Sequence, residues 1–246
     1  MSLAETFLII SLLYMSISCF LYHWAKKNNK DKQMTKLWPA GFLFISCSVY
    51  LLSFINYPQV HLRQILSFSL IFIWSAAVFI HINKNLKARP AEETDKKDKN
   101  FGFILRMNFF QLIVAAPVFS IHFIPGQNSI KFIDFLGFTM ALVGIYIQHR
   151  ANRELRINSP KNLIHYGRLR QVCRYPNALG EVIFWFSIYL MALNSVNGYM
   201  SFYGPLALII FLLKVVLPKK DIKLENNFKN FKEYKSSSWM LLPKIK

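Results

Sequence analysis

Six of the nine arginines in this chain fall between Arg150 and Arg174, in a polar segment set between two long apolar runs. A guanidinium is a planar fork of donors that matches phosphate oxygens two at a time, whereas lysine offers a mobile point charge. The other basic residues are mostly lysines. Arg150, Arg153, Arg156, Arg168, Arg170 and Arg174 therefore mark the segment suited to a phosphorylated ligand.

Helical period continues past Ile147, which sets His149, Asn152, Arg153 and Arg156 on one helix face through i, i+3, i+4 and i+7 spacing. Arg150 and Glu154, four residues apart, read as a surface pair that supports the helix. Ser159-Pro160 ends it, and Gly167-Arg168-Leu169-Arg170 reads as a turn. The next helix is predicted to begin near Pro176, since proline at the first helical position lacks only an N–H that would be unpaired anyway. Asn177 and Glu181 then stand one turn apart at a helix mouth, where free N–H groups and positive partial charge favour an anion or an amide-bearing ligand. A carboxylate in the opening turns of a membrane helix is costly unless it is paired or serves a site. Glu181 is read as a site residue, or else as a capping acid paired with Arg174.

The elements that must position these groups are membrane helices. The chain has 246 residues, 54% hydrophobic and 17% charged, with a mean hydropathy of +0.28. Apolar runs of roughly bilayer-spanning length recur at Phe7–Tyr22, Leu37–Ile55, Ile65–Ile82, Met107–Phe123, Phe132–Ile147, Leu179–Leu193 and Tyr203–Leu217. Between them, basic residues crowd the first, third and fifth loops and the tail, while the second and fourth loops carry only Arg63 and Lys131 and the sixth carries none. Basic residues are retained in cytoplasmic loops. The expectation is an all-α polytopic membrane helical bundle of about seven transmembrane helices, N-terminus outside and C-terminus cytoplasmic, forming one integral membrane domain over residues 1–246.

The formal charge of +18 then becomes one-sided. Topology and attraction to anionic lipid headgroups account for most of the lysines. No stretch reads as a recognition helix or aromatic platform, so no nucleic-acid partner is expected. Cys19, Cys47 and Cys173 imply no disulfide framework, and the six histidines include no pair at metal-binding spacing. The first run lacks a basic leader, so a cleavable signal peptide is not expected. There is no GxGxxG or Walker loop, so any phosphorylated cofactor must be held by single side chains and helix ends. Gly137 and Gly144, one heptad apart, suit close helix contact. Asn108 and Gln111, one turn apart, suit either a cavity wall or hydrogen bonds between helices. Leu224, Phe228 and Phe231 recur at helical spacing between lysines, as in an interfacial helix.

Arg174-Tyr175-Pro176-Asn177-Ala178-Leu179-Gly180-Glu181 resembles the Arg-His-Pro-Asn-Tyr-Phe-Gly-Glu signature of the steroid 5α-reductase-like membrane proteins, including their bacterial branch. Asp134-Phe135-Leu136-Gly137 and Gly144, then Ala151-Asn152-Arg153-Glu154-Leu155, are similar to that family's Asp-x-x-Gly span and Ala-Asp-x-Gln-Leu helix. Gly167 to Arg170 occupies the place of its Gly-Leu-Trp turn, and Phe231 to Tyr234, Ser236 to Ser238 and Leu242-Pro243 resemble its closing pattern. The likeness covers residues 74–246 and is strongest over 134–246.

The resemblance implies an oxidoreductase acting on CH–CH groups, which uses NADPH to reduce a lipid double bond conjugated to a carbonyl, in a sterol-like or enoyl substrate. It places Asn152, Arg174, Asn177 and Glu181 at cofactor-binding positions, with Tyr234 in the closing motif. Arg153, Arg156, Arg168 and Arg170 would add guanidinium groups for the cofactor's phosphates, and Glu181, Tyr175, Tyr166 and Tyr146 are the candidates for catalysis and proton donation. The sequence departs from the family pattern at Tyr175, Ala178, Asn152 and Glu154, and has Pro218-Lys219-Lys220 where the family has a glutamate. Two alternatives stay open: an S-adenosylmethionine-dependent methyltransferase similar to the isoprenylcysteine carboxyl methyltransferases, and a noncatalytic lipid- or partner-binding relative. A bacterial inner membrane is the expected location, or the endoplasmic reticulum in a eukaryote.

Overall fold

Backbone N–H and C=O groups in lipid have no water to bond to, and within one segment only a helix satisfies them. The computed structural model describes residues 3–28, 31–56, 61–88, 101–123, 129–157, 169–170, 173–227 and 231–241, and no strand occurs among them. Helix α1 covers Leu3–Lys27, and a 3₁₀ segment, Asp31–Lys36, leads into α2 at Leu37–Asn56. Next come α3 (Leu62–Ala88), α4 (Phe101–Val114), α5 (Ala116–Phe123) and α6 (Phe132–Ile157). Helix α7 is Pro176–Ala192, and a 3₁₀ turn, Gly198–Phe202, precedes α8 at Tyr203–Phe211. A π-helical turn, Leu212–Val216, joins α8 to α9 (Leu217–Asn227), and α10 is Phe231–Ser237.

The expected bundle is present, with its crossings partitioned differently. Among the described residues, five helical segments are long and apolar enough to cross a bilayer alone: Phe7–Lys27, Gln33–Ile55, Leu62–Leu86, Phe132–Glu154 and the composite Gly198–Asn226. The fourth expected run is broken into α4 and α5, which meet at 47° and make a sixth crossing only as one bent span. Pro117 supplies the break, because its ring removes an N–H from the helical ladder and crowds the preceding turn. Gly204 fits against the bend, where a Cβ would lie 2.9 Å from the carbonyl oxygens of Ile113 and Val114. Helix α7, the sixth expected run, has 17 residues, at the lower edge of the roughly 17–25 that span a bilayer.

The contact between α6 and α7 is the most extensive in the bundle. It is built on small residues, as expected for Gly137 and Gly144. A Cβ on Gly180 would sit 2.6 Å from the Gly144 carbonyl oxygen and 2.7 Å from the Gln148 amide, while one on Gly137 would meet the Ser187 carbonyl at 2.8 Å. These contacts define an antiparallel register in which Gly137 faces Ser187 and Gln148 faces Gly180. Trp74 from α3 locks onto the same pair: its indole N–H donates to Gln148 Oε1 at 2.7 Å, and its ring stacks on Phe184.

At the end of the bundle away from most of the lysines, one arginine is neutralised internally. Arg63, the one basic residue of the second loop, is buried and donates through Nε (2.6 Å) and Nη2 (3.0 Å) to the buried carboxylate of Asp134. Asn194 adds a third side-chain bond to that carboxylate at 2.7 Å. Because the pair carries no net charge, the second loop adds nothing to the charge asymmetry. The glycine contact sets an expectation for mutation: Gly180→Ala should cost at least the ~1–3 kcal/mol of an overpacked core, seen as a lower melting temperature in detergent, whereas Leu142→Ala on the exposed face of α6 should be nearly silent.

Candidate functional site

At the mouth of α7, Pro176 begins the helix as its position predicts, with Tyr175 as N-cap and no side-chain cap. Both peptide N–H groups just outside the helix face the C-terminal strap, residues 238–241: Arg174 N bonds to Trp239 O at 2.8 Å and Tyr175 N to Met240 O at 3.0 Å. The buried Arg174 guanidinium donates to Asp221 Oδ2 (2.6 Å), Ser238 Oγ (3.2 Å), Ser238 O (2.6 Å) and Lys235 O (2.7 Å). The Tyr175 hydroxyl donates to the other oxygen of Asp221 at 2.6 Å, and the Tyr234 hydroxyl to Arg170 O at 2.8 Å. The start of α7, α9, α10 and the strap are thereby tied into one knot. Arg174 does not pair with Glu181 as the capping reading expects, and its donors are turned to Asp221 and the strap.

Electrostatics around the knot follow from burial. The Tyr175 hydroxyl titrates well above the ordinary tyrosine range, first because it is buried and then because Asp221 accepts its proton in a hydrogen bond and repels the phenolate. Burial also raises Tyr234 and pushes the Cys173 thiol up to about 11, against the opposing pull of a backbone bond at Tyr175 and the Arg170 charge. Tyr175 is thus held as a neutral donor to a carboxylate.

Glu181 lies one helical turn past Asn177, half-buried, and Trp38 Nε1 donates to its Oε1 at 2.9 Å. A buried polar chain continues from there. Gln111 Nε2 donates to Trp38 O at 2.6 Å, and Tyr14 donates to Gln111 Oε1. Asn108 accepts from Ser18 at 3.1 Å, so Asn108 and Gln111 both serve bonds between helices. Lys220 lies within electrostatic range of Glu181 and 5.9 Å from the Tyr175 ring centroid.

A cavity of about 210 Å³ opens between α3 and α6, lined by His81, Lys84, His149, Asn152 and Arg153. Three of the four α6 residues expected to share a face, His149, Asn152 and Arg153, line this cavity together. Continuing the antiparallel register one turn beyond Gln148 brings Asn152 level with the mouth of α7. Arg150 pairs with Glu154 at 3.6 Å on the surface. Arg170 is buried, Asn177 is half-buried and Tyr146 is 65% exposed on α6. The Arg156 side chain, Arg168, Tyr166, Phe228 and Leu242-Pro243 lie outside the described residues. A second, almost wholly apolar cavity of about 350 Å³ lies between α7, α8 and the strap, with Leu179, Val182, Ile209 and Leu213 on its walls.

The described arginines take different surroundings. Arg153 faces the polar cavity, and Arg174 belongs to the knot. Sequence reasoning passed over Asp221, although it is the single acid in the lysine-rich run from Pro218 to Leu224. It also passed over Trp38, Lys84 and His81, which carry no local signature and come to the site only through tertiary packing.

Comparison with known proteins gives a family. A family model described as a protein of unknown function, DUF1295, matches residues 21–238, and the chain belongs to that family. No curated protein and no solved structure matches this chain.

Two outcomes test the knot. Asp221→Ala strands the buried Arg174 charge, which should cost about 3–5 kcal/mol and expose the tail to limited proteolysis. On the alkaline side, unfolded thiols and tyrosines ionise from about pH 8.5 and 10 respectively, while Cys173 and Tyr175 stay protonated in the folded protein. The folded state then holds more protons, so stability should fall as pH rises above about 8.5, and Tyr175→Phe should flatten the part of that slope above about pH 10.

Proposed function

We propose that this DUF1295 protein is a membrane reductase that uses NADPH at the cytoplasmic face to reduce a lipid double bond conjugated to a carbonyl. The observation that carries the reading is the polar cavity between α3 and α6, where Lys84, Arg153, Asn152 and two imidazoles converge, Asn152 lying level with the mouth of α7. Two cationic side chains and an amide at a water-accessible helix end suit a phosphate. The basic end of the bundle is the cytoplasmic one by the retention of positive charge, which is where NADPH is available. The resemblance of residues 174–181 to the steroid 5α-reductase-like signature supports the same assignment.

Size limits what the cavity holds. At about 210 Å³ it falls below the roughly 300–1,000 Å³ of complete small-molecule sites, so it takes the phosphate end of the dinucleotide and not the whole. When bound, NADPH supplies the hydride. Arg153 and Lys84 neutralise the phosphate, Asn152 orients it, and Glu181, fixed by the Trp38 indole, stands at the helix mouth to accept a hydrogen bond from an amide-bearing end. Tyr175 is tied to Asp221, and among the described residues Glu181 and Lys220 are the groups we assign to holding a proton.

Ligand that binds only the folded state raises the melting temperature. In detergent at low ionic strength, where guanidinium–phosphate attraction is least screened, NADPH should stabilise the protein and S-adenosylmethionine should not. Arg153→Ala should weaken NADPH about 10–100-fold, as expected for losing a charge-assisted hydrogen bond. A folded protein that ignores NADPH refutes the reductase, and one that answers only to S-adenosylmethionine is a methyltransferase.

A further inference from the structure

The apolar cavity between α7, α8 and the strap plays no part in the cofactor reading. Its volume, about 350 Å³, lies within the roughly 300–1,000 Å³ range of small-molecule sites, and its lining offers almost no polar surface to a soluble ligand. One wall is not a membrane helix at all. It is the strap, whose peptide carbonyls at Trp239 and Met240 are fixed by the amides of Arg174 and Tyr175. The facing wall carries Leu213 on the π-helical turn, a distortion of helical pairing that recurs at functional sites. Trp239 is 52% exposed at the cavity's edge, the amphipathic residue favoured at the boundary between hydrocarbon and headgroups.

Charge then selects the occupant. The wall helix continues without a break from Leu213 into α9, where Lys219 and Lys223 are exposed one turn apart. Lys219 is six residues beyond Leu213, about 9 Å along the axis and about a third of a turn round it, a gap that the long lysine stem spans by snorkelling. An amphiphile with its chain beside Leu213 and Val182 would present its headgroup to those ammonium groups. We propose that this cavity is a binding site for an anionic membrane phospholipid, one acyl chain lying between α7 and α8 and the headgroup phosphate meeting Lys219 and Lys223. The strap completes the site, so the Arg174–Asp221 knot holds the lipid site shut on its cytoplasmic side. This assignment is independent of the reductase reading.

Trp239 reports on the site directly. The full-length protein is reconstituted in phosphatidylcholine vesicles containing a small mole fraction of brominated-chain phosphatidylglycerol, or the same fraction of brominated-chain phosphatidylcholine. The difference between parent and Trp239→Phe isolates the quenching of this one indole from that of the other four tryptophans. Quenching by the anionic lipid should exceed quenching by the zwitterionic one several-fold at equal fraction. Val182→Phe, which fills the cavity, should bring the two to the same level, and Lys219→Gln with Lys223→Gln should abolish the preference while chain quenching persists. Native mass spectrometry of the detergent-purified parent should show one retained phosphatidylglycerol that Val182→Phe loses, a readout that does not depend on the Trp239→Phe variant folding. Equal quenching by both lipids overturns the proposal in favour of unselective boundary lipid. Absence of Trp239 quenching together with a cross-linked dimer overturns it in favour of a second copy of the chain.

Discussion

The ion pair between Arg174 and Asp221 is the constraint on which the basic end of this protein depends. Removing both charges from water is expensive, and the attraction between them offsets that cost only when geometry is good and the remaining donors and acceptors are satisfied. Here the contact is 2.6 Å, the other carboxylate oxygen takes the Tyr175 hydroxyl, and the remaining arginine donors find Ser238 and the carbonyl of Lys235. Its partners come from separate stretches of chain. The pair thus fixes where α7 begins, how α9 leaves the last crossing and where the strap lies.

From that fixed point the rest of the end can be placed. Gly144 and Gly180 bring the α6 and α7 backbones into contact and set their register, so the polar face of α6 arrives at the level of the α7 mouth. Trp38 reaches Glu181 because Gln111 holds its carbonyl, and Gly41 leaves room for that amide: a Cβ there would stand 2.8 Å from Gln111 Nε2. Two cavities of opposite character result. One is polar and cationic between α3 and α6; the other is apolar between α7, α8 and the strap.

Much of this was legible from periodicity and charge. The helical class, the start of α7 at Pro176, the shared face of His149, Asn152 and Arg153 and the close approach at Gly137 and Gly144 all follow from local rules, and local rules depend on few neighbours. What stayed hidden was partner choice. Arg174 had Glu181 seven residues away as the obvious mate, yet its partner is Asp221, 47 residues on, because tertiary packing and not spacing decides which carboxylate meets it. Hydropathy also shows Met107–Phe123 as one run, since the bend at Pro117 changes direction without changing composition. Asp134 reads as part of a motif until Arg63, 71 residues distant, appears beside it.

The central claim is that the arginine cluster divides, with Arg174 holding the scaffold and Arg153 facing the polar cavity. A double-mutant cycle of Arg174→Met and Asp221→Leu, read by melting temperature with and without NADPH, tests it most directly. If Arg174 is scaffold, the double variant is clearly more stable than the two single losses predict when added, by a coupling on the order of 1–3 kcal/mol, and NADPH still raises its melting temperature. A double variant that folds but has lost its response to NADPH would place Arg174 in the ligand site and contradict the division.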